Sequence, residues 1–172
     1  MPELTRSTSV ADGASREQRM RAMYSQVRYP GLDPNHNARY VRHRRFVYRC
    51  LGLDVDTFFR DKTVLDAGCG TGEEALFIAS LGAARVVGID TSQGSLAVAQ
   101  AGAERLGLAN VEFRPGSVLD TSLFAPGAFD YVSSLGCIHH TPDMPAAFAN
   151  RTHSVGAYFS AVNCSAYLAY SV

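Results

Sequence analysis

The chain has 172 residues, 47% hydrophobic and 19% charged, with a formal net charge of zero. That length suits one domain with a sizeable core. No apolar run reaches the roughly 18 residues of a membrane span, and the N-terminus lacks a basic-then-apolar leader, so a cytoplasmic chain with no membrane partner is expected. The neutral balance hides an asymmetry: residues 1–62 carry 12 Lys and Arg against 7 Asp and Glu, and residues 63–172 carry 4 against 9. Cys50, Cys69, Cys137 and Cys164 stand far apart, without the close pairs of a metal site or disulfide framework, so free thiols and no bound metal are expected.

Residues 1–15 are small and polar and read as a disordered tail. A first helix over 16–27 is broken by Tyr29-Pro30-Gly31-Leu32-Asp33-Pro34. Asn35 or Asn37 caps a second helix running to about Cys50, and 16–60 together form a helical layer on the core. This helix holds Arg39, Arg42, Arg44, Arg45 and Arg49. Tyr40, Val47, Cys50 and Leu51 supply its apolar stripe, which makes the arginines a solvated face; contact with a nucleic-acid phosphate is the alternative.

From Thr63 the pattern alternates strand and helix. Strands are expected at Thr63–Asp66, Arg85–Asp90, Val111–Arg114 and Phe129–Ser134. The helix between the first two runs from Glu73 to Leu81 and stops at Gly82. The next is capped by Thr91 or Ser92, carries Leu96, Ala99, Ala103 and Leu106 on one face, and ends at Gly107. Strands separated by helices of this length predict an α/β fold, a Rossmann-like doubly wound, mostly parallel sheet with right-handed crossovers. In such a sheet a ligand lies beyond the carboxyl ends of the strands.

The segment Val64-Leu65-Asp66-Ala67-Gly68-Cys69-Gly70-Thr71-Gly72-Glu73 carries the chemistry. It reads as a buried strand, an acid, a glycine loop and the opening of a helix whose free amides point at whatever the loop holds. The glycines bend the chain and admit a ligand where a Cβ would collide. A dinucleotide loop has G-x-G-x-x-G, but Glu73 stands at the third glycine of that pattern. Glu73 and Glu74 also set negative charge against a pyrophosphate, and no Gly-Lys-Ser/Thr follows for a Walker A loop. Asp66 suits a ligand with a cationic end, so a nucleoside joined to an amino acid fits better than a dinucleotide. Asp90, 18 residues beyond Gly72, can accept hydrogen bonds from two ribose hydroxyls.

Asp66 to Gly72 resembles the first motif of the class I S-adenosylmethionine-dependent methyltransferases. The resemblance runs over roughly residues 60–149 and implies S-adenosylmethionine as methyl donor. It assigns donor binding to Asp66, Gly68, Cys69, Gly70, Thr71 and Gly72, and the ribose to Asp90 with Thr91 beside it. Family members often carry an acid for the adenine amino group where Gly116-Ser117-Val118 stands here; Ser117 can hydrogen-bond without charge, and Val118 can contribute its backbone. Phe129 to Val132 with Leu135-Gly136-Cys137-Ile138-His139-His140 is similar to the family's fourth-strand motif, and places backbone near Leu135 along the methionine portion. The histidine pair reads as packing or capping rather than as ligands. Methyl transfer is mainly a matter of alignment, so no catalytic residue is assigned.

After Ala146-Ala147-Phe148-Ala149 the resemblance stops, and 151–172 reads as an atypical, substituted tail from truncation or a shifted reading frame. The core is then 61–150, with the fourth strand left as an unpartnered edge and Val155–Val162 as a makeshift fifth strand. The expected protein is a methyltransferase for a small-molecule acceptor, incomplete in its acceptor half, binding its donor weakly with little turnover. An inactive donor-binding module, completed by a partner chain that extends the sheet, is a second reading. An RNA methyltransferase using the arginine helix is a third, and a nicotinamide oxidoreductase is last because its glycine spacing is absent.

Overall fold

The computed structural model describes residues 18, 19, 22, 23 and 34–160. The expected tail over 1–15, the turn over 29–33 and the stretch after 160 lie outside the described residues. Of the expected helix over 16–27, residues 18, 19, 22 and 23 are helical. The elements are α1 (Pro34–Cys50), α2 (Val55–Phe58), β1 (Thr63–Ala67), α3 (Glu73–Ser80), β2 (Arg85–Asp90), α4 (Gln93–Leu106), β3 (Val111–Pro115), β4 (Phe129–Ser133), a 3₁₀ turn (Ile138–His140), α5 (Met144–Ser154) and β5 (Val155–Ser160).

The five strands form one sheet in the order β3-β2-β1-β4-β5, and every pairing is parallel. The chain winds outward from β1 through β2 to β3, then returns to the other side of β1 with β4. This reversal between β1 and β4 opens the crevice at which doubly wound sheets bind ligands. The expected α/β architecture is what the structure shows. β4 is not a bare edge: β5 pairs with it, with a register irregularity between Phe129 and Tyr131. α5 runs through position 150 to Ser154 and feeds this fifth strand.

Alternation along the strands sends side chains to two cores. Val64, Val86, Val111 and Tyr131 pack with Tyr48 of α1, Ala75 to Ala79 of α3 and Ala103 of α4. Leu65, Ala67, Val87, Ile89 and Val132 pack with Ala147 of α5 and with Val118. Under α1 the first core is aromatic: the Phe59 ring meets Tyr48 at 5.1 Å, Phe58 at 5.0 Å and Tyr131 at 5.2 Å, all edge to face. Each such pair adds roughly 0.5–1.5 kcal/mol beyond area burial.

Local signals set the helix ends. Ser92 caps α4 by accepting the Ser95 amide, and Gly107 closes the helix at φ 65°. Leu81 caps α3, and Gly82 follows at φ 86°. The start of α1 differs from expectation. It begins at Pro34, whose missing N–H costs nothing in a first turn, so Asn35 and Asn37 lie inside the helix. Pro115 ends β3, an outer strand, where the lack of a donor is tolerated.

Asn110 joins these layers. Its carbonyl accepts the Val86 amide, while its side-chain amide donates to Ala79 O at 3.0 Å and Ala83 O at 2.8 Å. Asn110→Ala leaves both carbonyls without this donor and should cost about 1–2 kcal/mol in urea denaturation; an unchanged midpoint would show that water replaces it freely.

Candidate functional site

The loop 68–72 is fastened to the end of β2. The Gly68 and Cys69 amides both donate to Ile89 O, at 2.8 and 2.9 Å. The Gly70 amide donates to Asp90 Oδ2 at 2.9 Å, and the Ser92 amide donates to Oδ1 of the same carboxylate at 2.8 Å. Asp90 thus ties the loop to the α4 start while remaining half-buried. Each oxygen keeps a lone pair for a further donor. The Gly116 amide donates to Asp90 O, bringing the loop after β3 to the same place.

The three glycines serve different ends. All have positive φ, at 78°, 53° and 86°. A Cβ at Gly68 would collide with Cys137 Sγ, and one at Gly72 would lie 2.7 Å from Ala99 Cβ and 3.0 Å from the Phe113 ring; at Gly70 nothing stands within 4 Å. The expectation that all three clear a path for a ligand is therefore corrected. Gly68 and Gly72 let protein pack against the loop, and Gly70 alone faces open space.

The other candidates divide in the same way. The Cys69 thiol is buried beside Gly88. Burial, then the charges of Asp66 and Asp90, push its pKa up; it is a neutral packing group, and only its backbone is available to a ligand. Thr71 is buried, with Oγ1 on Glu73 at 3.0 Å. Thr91 is half-buried between Asp90 and the cap Ser92. Ser117 Oγ accepts the Leu119 amide at 3.1 Å, so it shapes its own turn. Val118 is buried, with Cγ1 3.9 Å from the place of a Gly68 Cβ. Leu135 is half-buried, and the Ser134 hydroxyl and Cys137 thiol following β4 both donate to Ala67 O, at 2.9 and 3.1 Å. Glycine loop, β3 loop and β4 loop therefore meet around Ala67 and Gly68.

Asp66 is only 2% exposed, beneath the loop rather than in an open cleft. Burial raises its pKa, with the charge of Glu74 adding to the rise and Arg44 and the Ala75 amide opposing it. Among the described residues no donor reaches Asp66 Oδ2 or Ser133 Oγ. These two residues are partners in register on β1 and β4, so two unsatisfied atoms lie on neighbouring strands at the switch point. A buried polar atom without a partner marks a place for a water or ligand donor. That need, the open Gly70 and the spare lone pairs of Asp90 fit an amino-acid nucleoside.

Glu74 does not face the loop, contrary to the expectation that it sets charge against a ligand. It is buried against α1, where Tyr40 and Arg44 reach it. The inward stripe of α1 is Tyr40, Arg44 and Tyr48, whereas Cys50 and Leu51 are exposed. Arg44 thus leaves the expected basic surface, and Arg45 is paired with Asp56 at 2.7 Å. The i, i+4, i+8 spacing of Tyr-Arg-Tyr was the available signal. His139 and His140 are exposed, with ring centroids 3.8 Å apart. Burial, then His139, lowers the pKa of His140.

A parallel sheet with its glycine loop after β1 and a carboxylate ending β2 defines a Rossmann-like nucleoside-binding architecture. The model of the family described as "Methyltransferase domain" matches residues 64–155, and the chain belongs to that family, the S-adenosylmethionine-dependent methyltransferases. It is 36% identical over 115 residues to a ubiquinone biosynthesis O-methyltransferase of Neisseria meningitidis, covering 64% of this chain and 48% of that protein. It is 34% identical over 146 residues to an arsenite methyltransferase of Aquipseudomonas alcaligenes, covering 80% and 38%. The chain thus spans about half or less of the length of these relatives. A solved structure of a putative S-adenosyl-L-methionine-dependent methyltransferase from Methanococcus maripaludis shares the fold, with a TM-score of 0.59, 14% identity and coverage of 92% and 67%. Among the described residues no helix is long and apolar enough to cross a membrane.

The glycines make a direct comparison. Gly68→Ala combines left-handed backbone with a collision and should cost about 3 kcal/mol, whereas Gly70→Ala meets only the backbone term, about 1–2 kcal/mol. Equal losses of stability in chemical denaturation would refute the packing role of Gly68.

Proposed function

We propose that this chain binds S-adenosylmethionine at the crevice between β1 and β4 and transfers its methyl group to a small-molecule acceptor. The observation that carries the reading is the double use of Asp90, which holds the Gly70 and Ser92 amides and still has lone pairs for two vicinal hydroxyls. Dinucleotide binding is disfavoured because Glu73 stands where the third glycine of a G-x-G-x-x-G loop would be. Bound in the crevice, the sulfonium donor supplies an already activated methyl group.

The residues of this chain then have positional work. Asp90 orients the ribose, with Thr91 beside it. The backbone of Cys69, Gly70 and Leu135 lines the donor, and Val118 closes the side nearest Gly68. Asp66 Oδ2 and Ser133 Oγ are the atoms that an ammonium end, direct or through water, would satisfy. Alignment of nucleophile, methyl and sulfur lowers the barrier without a dedicated base; a base is needed only where the acceptor must lose a proton. The two relatives' names carry oxygen and arsenite chemistry, so both acceptor types belong in an assay. Neither fixes the acceptor of this chain.

Titration calorimetry with S-adenosylmethionine and S-adenosylhomocysteine tests the binding step. Folded wild-type chain should give saturable heat, and Asp90→Ala should weaken binding roughly 10- to 100-fold, as loss of charge-assisted hydrogen bonds requires. Folded wild-type protein that takes up neither compound would sink the proposal.

A further inference from the structure

The glycine loop is followed by a carboxylate that points away from it. Glu74, in the first turn of α3, is 4% exposed and collects four hydrogen bonds from one helix. Tyr40 OH donates to Oε2 at 2.7 Å, Arg44 Nε to Oε2 at 2.7 Å, Arg44 Nη2 to Oε1 at 2.6 Å, and Tyr48 OH to Oε1. Arg44 is itself 3% exposed and lies over the Tyr48 ring, 4.8 Å from its centroid. The Tyr48 hydroxyl also meets Tyr131 OH at 3.3 Å, which connects the cluster to β4. Three residues at i, i+4 and i+8 on α1 thus converge on one side chain two positions after Gly72.

Stability alone does not explain this arrangement. A buried ion pair is often no more stabilising than well-packed apolar side chains of the same volume. What it supplies is register. Four directional bonds to two oxygens fix both the height and the rotation of α1 on α3, where apolar contact would allow sliding. α3 begins at the loop, and the Leu76 amide returns to Gly72 O at 2.8 Å, so the position of its first turn is the position of the loop's end.

We propose that Glu74 is a positioning residue for donor binding: by gathering Tyr40, Arg44 and Tyr48 onto the start of α3, it holds α1 and the glycine loop in one rigid arrangement. The inference rests on the reading that this loop binds S-adenosylmethionine. Glu74 touches no ligand in this scheme and acts through α3 and the loop.

The test separates affinity from stability in the full chain. Glu74→Gln keeps the shape but removes the charge that Arg44 needs. The combined change Tyr40→Phe, Arg44→Met, Tyr48→Phe and Glu74→Met restores apolar packing without direction and leaves no buried phenol without its acceptor. Both are read by calorimetry with S-adenosylmethionine well below the melting temperature, by thermal unfolding, and by hydrogen exchange of the amides over 68–72 without ligand. Glu74→Gln should weaken binding about tenfold and speed loop exchange, in line with mutations in a coupled network. The combined variant should recover melting temperature but not affinity or exchange protection. If it recovers all three, Glu74 is merely structural and the proposal fails; wild-type affinity and loop protection in Glu74→Gln would also overturn it. Should Glu74→Gln not fold, Tyr48→Phe and Tyr40→Phe each remove one bond and must still speed loop exchange. Absence of donor binding by the wild type would overturn the functional reading, while the exchange arm would still decide this one.

Discussion

The structure turns on the junction where β1 ends against β2. Two successive amides, of Gly68 and Cys69, share the single carbonyl of Ile89, and the next amide reaches the Asp90 carboxylate. Three donors of the loop before α3 are therefore spent within the protein. The loop is organised before any ligand arrives. Lower reorganisation on binding is the physical gain from such preorganisation, and it explains why the same short segment can demand three left-handed residues.

That demand propagates outward. Because Gly68 lacks a Cβ, the segment after β4 can set Cys137 and Ser134 on Ala67 O, and the β4 loop becomes a wall of the crevice. Because Gly72 lacks one, Ala99 of α4 and Phe113 of β3 close on the base of α3. The acid two residues further on then meets α1. Burial, followed by the charge of Glu74, pushes the phenols of Tyr40 and Tyr48 up, so both remain donors. Burial works against the Arg44 charge, but the Glu74 charge and hydrogen bond outweigh it and keep the guanidinium ionised. The cluster is costly to assemble and specific once assembled.

Much of this frame was legible in the residues. β2 is found over the predicted Arg85–Asp90, and β1, β3 and β4 each differ from prediction by one residue at their C-terminal end, because short β-branched runs between turn residues have few other uses. The roles within the loop were less legible. A glycine required by a ligand and one required by a neighbouring side chain look alike in sequence; Cys137 is 69 positions from Gly68. The apolar stripe of α1 was misread for a related reason. Cys50 and Leu51 are more hydrophobic than Arg44, but the helix faces a buried acid, and tertiary demand overrode hydropathy. The makeshift fifth strand expected over Val155–Val162 is found as β5 over Val155–Ser160, where β4 offers it a parallel partner.

This division bears on how one loop serves different chemistries. In the segment Asp66 to Gly72, the side chains of Ala67, Cys69 and Thr71 are buried, and Gly68 and Gly72 are held by packing. Five of the seven positions therefore constrain the shape of the loop more than its chemistry. Open approach comes at Gly70, and on the proposed reading recognition comes from backbone, Asp66 and Asp90, none of which senses what lies beyond the donor. On the same reading, acceptor choice falls to side chains outside the loop, towards the crevice between β1 and β4.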